Sequence, residues 1–115
     1  AFDLAFCLNH LLLKCLVRPD QVDALIVSFK ALTEAYFDEA DWELRAGLEA
    51  RAAALLPALL LARVDGKSPA EYLNDERLRD QVRRIAVPLL YEPVADLCQV
   101  AAAWVEGIGR HRLQR

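Results

Sequence analysis

Apolar residues recur at intervals of three and four positions along nearly the whole chain. This spacing matches the 3.6 residues of an α-helical turn, so the apolar side chains of each segment fall on one face. No segment shows the strict two-residue alternation that is typical of a half-buried strand. The sequence therefore predicts an all-α fold.

Turn residues and prolines divide this pattern into about six predicted helices, with no domain boundary, so residues 1–115 form a single helical domain or subdomain. The helices are expected at about 4–16, with Asp3 as N-cap, then at 20–37, from 38–41 to 62, through Tyr72-Leu73, at 75–90 and at 93–106. Pro57 removes a backbone hydrogen bond and is expected to kink or split the third helix. Gly107 and Gly109 are expected to close the last one.

The composition allows a packed core and argues against two classes of partner. Apolar residues make up 56% of the chain, the net charge is -3 and the pI is about 5.3, so no basic surplus points to nucleic acid or to an anionic membrane. The longest apolar run, residues 52–62, is far shorter than the ~20 residues of a membrane span. Cys7, Cys15 and Cys98 lie in apolar helical runs, which favours reduced, buried thiols in a cytoplasmic protein.

The residues alone predict no catalytic residue, no metal site and no cofactor bound by this chain. The sequence has only two histidines and no convincing set of nucleophile, base and orienting group. Cys7 and His10 share a helix face, but two ligands are too few for a zinc site.

Asn9, His10 and Lys14 interrupt an otherwise apolar first helix. One interpretation is structural: a satisfied polar pair beside a lysine whose stem lies along the apolar surface. The other is functional: these side chains form one edge of a cleft shared with an absent lobe.

Two stretches resemble phosphotransferases of the aminoglycoside phosphotransferase and choline kinase type. Residues 2–10, Phe-Asp-Leu-Ala-Phe-Cys-Leu-Asn-His, are similar to the helix that follows the metal-binding aspartate of that family. Residues 61–73, Leu-Ala-Arg-Val-Asp-Gly-Lys-Ser-Pro-Ala-Glu-Tyr-Leu, are similar to a segment that precedes the family's final helices. The order of helices fits the helical C-terminal subdomain of that protein-kinase-like fold.

This resemblance implies a bilobal parent enzyme that transfers the γ-phosphoryl group of ATP, with Mg²⁺, to a hydroxyl of a small acceptor. The sequence contains no glycine-rich nucleotide loop, no catalytic-loop His-x-Asp with its downstream Asn, and no Asp-x-Asp. We therefore expect a piece of a longer chain that lacks the nucleotide-binding lobe and the catalytic loop and is inactive alone. Its partners would be the missing N-terminal portion and the acceptor substrate.

The resemblance also assigns roles to individual residues. Asp3 would brace the catalytic loop by accepting its backbone N–H groups. Asn9 and the adjacent His10 would face the active site. Arg63 and Asp65 fall where relatives contact the acceptor. A cationic Arg63 suits a substrate with hydroxyl, carboxylate or phosphate groups better than a polycationic aminoglycoside.

Two alternatives remain open. The chain could be a stand-alone all-α interaction module that docks a partner through its apolar first helix. It could also be a complete small bundle with no ligand, which requires the first helix to lie at the centre of its own core. If a partner lobe is missing, the surface that packs on it is exposed, and we expect a homodimer through the first helix.

Overall fold

The computed structural model describes residues 1–39, 44–65 and 75–113, with side chains up to residue 109, and no strand occurs in these ranges. The five α-helices are α1 (Phe2–Val17), α2 (Val22–Glu39), α3 (Arg45–Asp65), α4 (Glu76–Tyr91) and α5 (Leu97–Leu113), with a short 3-10 helix at Pro19–Gln21. The predicted all-α fold is confirmed. The helix expected through Tyr72-Leu73 lies outside the described residues. Within those residues, no helix combines enough length and apolar character to cross a membrane.

Helix α1 packs against α2, α3 and α5, so much of its surface is covered by the chain's own helices. Its buried face includes Leu8 and Leu12, both fully buried. Burying a leucine side chain contributes roughly 1.5–3 kcal/mol, so this face is a large part of the core. The indole Nε1 of the buried Trp104 donates to the carbonyl oxygen of Leu12 at 2.8 Å, which ties α5 to α1.

The start of α1 differs from the prediction. The helix begins at Phe2 with Ala1 as its N-cap, so the proposed N-cap role of Asp3 is wrong. Asp3 lies inside the first turn, where its Oδ1 accepts from the backbone N–H of Leu4 at 3.0 Å. A carboxylate in the first turn still interacts favourably with the helix dipole, which explains the acid at this place.

Pro57 does not split the third helix, because α3 continues through it to Asp65. An interior proline costs about 3 kcal/mol through its lost hydrogen bond and its ring contact. Leu56 and Leu60, on either side of Pro57, are fully buried, and α3 packs on both α1 and α4. Burial of this apolar segment outweighs the local cost of the proline.

Both ends of α5 also differ from the prediction. The helix begins at Leu97 and not at Pro93, since the Asp96 side chain accepts from the Gln99 N–H at 2.8 Å and Glu49 of α3 accepts from the Leu97 N–H at 2.9 Å. These carboxylates satisfy N–H groups that a helix start leaves unpaired. The predicted end at the glycines is wrong, because the helix continues to Leu113.

Gly107 has a packing role in place of a capping role. A Cβ atom at this position would lie 2.5 Å from Cγ1 of Ile85 on α4. That separation is far below van der Waals contact, so only glycine allows α4 and α5 to approach this closely here. No glycine among the described residues has a positive φ, so none of them forms the left-handed cap that was expected.

The helix from 75 to 90 agrees with the prediction to within one residue at each end. Asp75 is the N-cap of α4, and its side chain accepts from the Arg77 N–H at 2.9 Å.

The prediction of buried cysteines is right for Cys15 alone. All three thiols are free, but Cys7 and Cys98 are exposed. Burial raises the pKa of Cys15 to about 11. Next to Cys7 and Cys98 in the sequence, Leu8 and Leu97 are the residues that face the core. An apolar run in the sequence does not show which of its members is buried.

Candidate functional site

Two of the predicted site residues, His10 and Arg63, lie on helices that pack against each other, α1 and α3. His10 is half-buried in the middle of α1, and Arg63 is half-buried in the last turn of α3. Burial lowers the pKa of His10, and the positive charges of Arg63 and Lys14 lower it further. The packing of α1 against α3 therefore places the charge of Arg63 where it acts on His10, although the two residues are far apart in the sequence. We call His10, Lys14 and Arg63 the basic edge.

Asn9 precedes the basic edge in the sequence and points into the core. Its side chain is completely buried, and its Nδ2 donates to the carbonyl oxygen of Phe6, one turn earlier. Its Oδ1 is buried without a hydrogen-bond partner. Leaving a buried amide oxygen unpaired costs about 1–3 kcal/mol. The Asn9 amide, which the structural interpretation of the sequence took to be satisfied, therefore has a partner for its nitrogen but none for its oxygen.

The sequence interpretation missed an aromatic stripe beside these residues. The Phe6 ring meets the His10 ring edge-on with centroids 4.9 Å apart, and it stacks on Phe2 at 6.0 Å. Phe2 is 59% exposed and Phe6 is 42% exposed, so both rings face solvent. The signal was present, because residues four apart are neighbours on a helix surface. Judged from the sequence, the whole first helix is apolar, which does not separate these two rings from its core face.

Asp65 is held by a partner that sequence reasoning did not identify. Arg83 of α4 donates to both carboxylate oxygens, with Nη2 at 2.8 Å from Oδ1 and Nε at 3.0 Å from Oδ2. Hydrogen bonding from Arg83 keeps the pKa of Asp65 below its usual value. Arg83 also donates to Glu76 through Nη1 at 2.6 Å. No local sequence pattern reveals this pair, because it depends on how α3 and α4 pack.

Asp3 forms a separate group of contacts at the start of α1. Its Oδ1 lies 3.6 Å from the terminal amine of Ala1 and accepts from the hydroxyl of Tyr36 on α2 at 3.5 Å. Burial acts to raise the pKa of Asp3, but hydrogen bonding to backbone N–H groups and the nearby ammonium outweigh it and lower the pKa. The contacts of Asp3 thus join α1 to α2, and the role of Asp3 as a brace for a catalytic loop stays a prediction.

Two cavities among the described residues lie away from the basic edge. One, of about 210 Å³, lies between α2 and α5 and is lined by Phe29, Thr33 and Leu97 with neighbouring residues. The other, of about 280 Å³, lies between the 3-10 helix and the later part of α5. Neither contains a predicted site residue, and the described part of the chain has no group of three or more side chains able to hold a metal ion.

Comparison of the chain with protein-family models, with curated proteins and with solved structures found no match. A function for this chain therefore has to be inferred from its residues and their geometry.

Proposed function

We propose that this chain is the helical C-terminal portion of an ATP-dependent small-molecule phosphotransferase. In this proposal it forms part of the acceptor-substrate side of the enzyme, works in the cytoplasm and is inactive alone. The parent enzyme transfers a phosphoryl group from ATP to a hydroxyl of a small acceptor. The partners of this chain are then the small acceptor and the N-terminal portion of the same enzyme.

One observation supports the proposal: the first stretch that resembles the phosphotransferase family and the described part of the second, residues 61–65, lie on helices that pack together. Residues 2–10 form the first half of α1, and residues 61–65 end α3. The two helices pack together, and the charge of Arg63 acts on His10. Residues that serve one acceptor site in a folded enzyme have to adjoin in this way, whatever their separation in the sequence.

The buried oxygen of Asn9 gives a second, independent support. A leucine at this position would continue the apolar face formed by Leu8 and Leu12 without an unpaired polar atom. A buried asparagine oxygen without a partner is a departure from local rules, and natural proteins make such departures chiefly at functional sites.

The described residues do not fit a role in holding the magnesium ion of such an enzyme. Mg²⁺ prefers carboxylate oxygens, and the described acid nearest to the end of α3, Asp65, is engaged by Arg83. In the proposed enzyme, ATP and the metal are therefore held by the missing N-terminal portion. This chain contributes binding and orientation of the acceptor.

The gene sequence upstream of Ala1 tests the proposal directly. We expect an in-frame His-x-Asp with a downstream Asn, followed by an Asp-x-Asp shortly before Ala1. A start codon immediately ahead of Ala1 would refute it. We also expect the purified chain alone to show no ATP consumption above background with a panel of small alcohols, while the longer chain shows turnover.

The exposed aromatic stripe favours a second candidate, a stand-alone all-α module that binds a protein partner or a second copy of itself. Phe2 and Phe6 present adjacent apolar rings to solvent on α1. Exposed apolar patches of this kind often mark interaction surfaces. Other faces of α1 are covered by the chain's own helices.

Sedimentation equilibrium distinguishes these candidates. If the stripe forms a homodimer, the chain sediments as a dimer at high concentration and a Phe2→Ser/Phe6→Ser variant sediments as a monomer. Val27→Ser is a matched control, because Val27 is an exposed apolar residue on a different helix, α2. A wild-type chain that stays monomeric at high concentration would exclude the homodimer.

A further inference from the structure

The pocket between α2 and α5 has room for a small ligand. Its volume is about 210 Å³, and the residues that line it are Phe29, Lys30, Thr33, Glu34, Leu97 and Cys98. An apolar cavity of about 150 Å³ holds a benzene molecule, so this pocket can take one ring or a short alkyl chain.

The buried part of the pocket lining is apolar. Phe29 and Leu97 are fully buried, and Thr33 is buried beside them. The Thr33 hydroxyl donates its one proton to the carbonyl oxygen of Phe29 at 2.8 Å, so the buried lining offers no free side-chain donor. A polar group on a ligand would lose its hydration there without gaining a hydrogen bond from such a donor. The part of a ligand that enters the pocket must therefore be apolar.

The exposed part of the lining carries one unbalanced charge. Lys30 and Glu34 lie one turn apart on α2, and both are exposed. Glu34 is engaged by Arg45 of α3, whose Nη1 and Nη2 donate to its two carboxylate oxygens at 3.0 and 2.6 Å. Two-point pairing with a guanidinium largely cancels the charge of a carboxylate. The Lys30 ammonium has no ion-pair partner among the described residues, so its charge is available to a ligand.

The other acids near the pocket are engaged as well. Glu49 accepts from the backbone N–H of Leu97 at 2.9 Å and from Nε of Arg45 at 3.4 Å. Asp96 accepts from the backbone N–H of Gln99 at 2.8 Å. Neither carboxylate belongs to the pocket lining, so the exposed part of the pocket favours a negative charge.

We propose that this pocket binds a small carboxylic acid whose apolar ring or short alkyl chain lies against Phe29 and Leu97 and whose carboxylate pairs with Lys30. The inference goes beyond the proposed function, since no predicted site residue lines the pocket. A neutral apolar molecule would fill the pocket without meeting the charge of Lys30. A small anion would meet that charge without covering the apolar side chains. A carboxylic acid with an apolar body does both.

Protection of Cys98 from a thiol reagent tests the inference on the chain as it is. Cys98 is an exposed free thiol in the pocket lining, and the exposed free thiol of Cys7 on α1 is the internal reference. Benzoate is the probe, acetate supplies the carboxylate without the ring, and benzamide supplies the ring without the charge. We expect benzoate to slow the modification of Cys98 saturably, with half-saturation at about 1 mM, and to leave the rate at Cys7 unchanged.

The two reference compounds show which part of the ligand is recognised. At equal concentration and ionic strength, acetate and benzamide should each protect Cys98 less than benzoate does. If benzoate leaves the rate at Cys98 unchanged, or if either reference compound protects Cys98 equally well, the inference is overturned. None of these results bears on the proposed function, which the gene sequence upstream of Ala1 tests.

A pair of lysine variants assigns the charge. Lys30→Gln should raise the half-saturating concentration of benzoate by about twofold to fivefold, the usual value of an exposed ion pair. Lys14→Gln removes an exposed lysine of α1 and should leave that concentration unchanged. Both lysines are exposed, so neither change disturbs the core. Equal half-saturating concentrations in Lys30→Gln and in the wild-type chain would refute the pairing with Lys30.

Discussion

Replacing Asn9 with leucine removes the only polar side chain on the buried face of α1 within the described residues. The buried Oδ1 of Asn9 has no hydrogen-bond partner, whereas Nδ2 donates to the carbonyl oxygen of Phe6. Leucine occupies nearly the same volume and continues the apolar surface of Leu8 and Leu12. We therefore expect the Asn9→Leu variant to be more stable than the natural chain.

The magnitude follows from opposing contributions to the free energy of unfolding. Removing the unpaired buried oxygen contributes about 1–3 kcal/mol, and losing the Nδ2 hydrogen bond costs about 1 kcal/mol. The different branching of leucine costs up to about 1.5 kcal/mol if its neighbours adjust poorly. If the neighbours adjust to leucine without cost, the net expectation is a gain of about 1 kcal/mol, which corresponds to a rise of roughly 4 °C in Tm for a chain of this length.

Urea denaturation followed by far-UV circular dichroism measures this change. Thr33→Val is the matched control, because Thr33 is also a buried polar residue in a helix but its hydroxyl donates to the Phe29 carbonyl oxygen at 2.8 Å. Removal of a satisfied hydrogen bond costs about 0.5–1.5 kcal/mol, so the control should lose stability where Asn9→Leu gains it.

A loss of more than about 1 kcal/mol in Asn9→Leu would refute the reasoning, since it would mean that Oδ1 has a donor such as an internal water. Under the proposed function, the same variant placed in the parent enzyme should raise KM for the acceptor while raising Tm. A Tm gain with unchanged acceptor kinetics would remove Asn9 from the site and leave its cost in stability unexplained.

Three further outcomes are expected. Gly107→Ala should lower the free energy of unfolding by about 1–3 kcal/mol, because its Cβ would meet Ile85 at 2.5 Å. Gly109→Ala should raise it by up to about 1 kcal/mol, because a Cβ there has no atom within 4 Å. Equal effects of the two variants in thermal unfolding would contradict this. In native protein at pH 8, a thiol reagent should modify the exposed Cys7 and Cys98 at least about 100-fold faster than Cys15. Cys15 is buried, and its pKa of about 11 leaves little reactive thiolate. Equal modification rates for all three cysteines, measured by mass spectrometry, would contradict this prediction. The pKa of His10 is lower in the folded chain than the ordinary 6.5, so the unfolded chain binds this proton more readily. The stability of the chain should therefore fall as the pH drops through about 6.5. Urea titrations of the His10→Gln variant should show a smaller fall.

The site shows clearly where sequence reasoning stops. The sequence pointed to Asn9, His10 and Arg63 by residue type, by their positions in apolar helices and by resemblance. It did not reveal that the Asn9 amide is buried with one unpaired oxygen, because a polar residue at that spacing can equally face solvent. Nor did it identify Arg83 as the partner of Asp65, since that pair depends on the packing of α3 against α4.

Some helix ends were predictable from local sequence and others were not. Local rules placed α4 correctly, because its N-cap, Asp75, acts within its own first turn. They misplaced the start of α5, because one of the two carboxylates that satisfy its first N–H groups is Glu49, on a different helix. The rules also assigned a helix end to Gly107, whose lack of a side chain serves instead the close crossing with Ile85.

The sequence by itself determined that the chain is helical and which faces of most helices are apolar, because periodicity and capping act over one or two turns. Only the tertiary structure decided that α1 packs against α2 and α3, that Pro57 is tolerated inside α3, and that Phe2 and Phe6 remain exposed. These features depend on which helices meet. The energy of such packing comes from contacts between residues that are distant in the sequence, so no local pattern contains it.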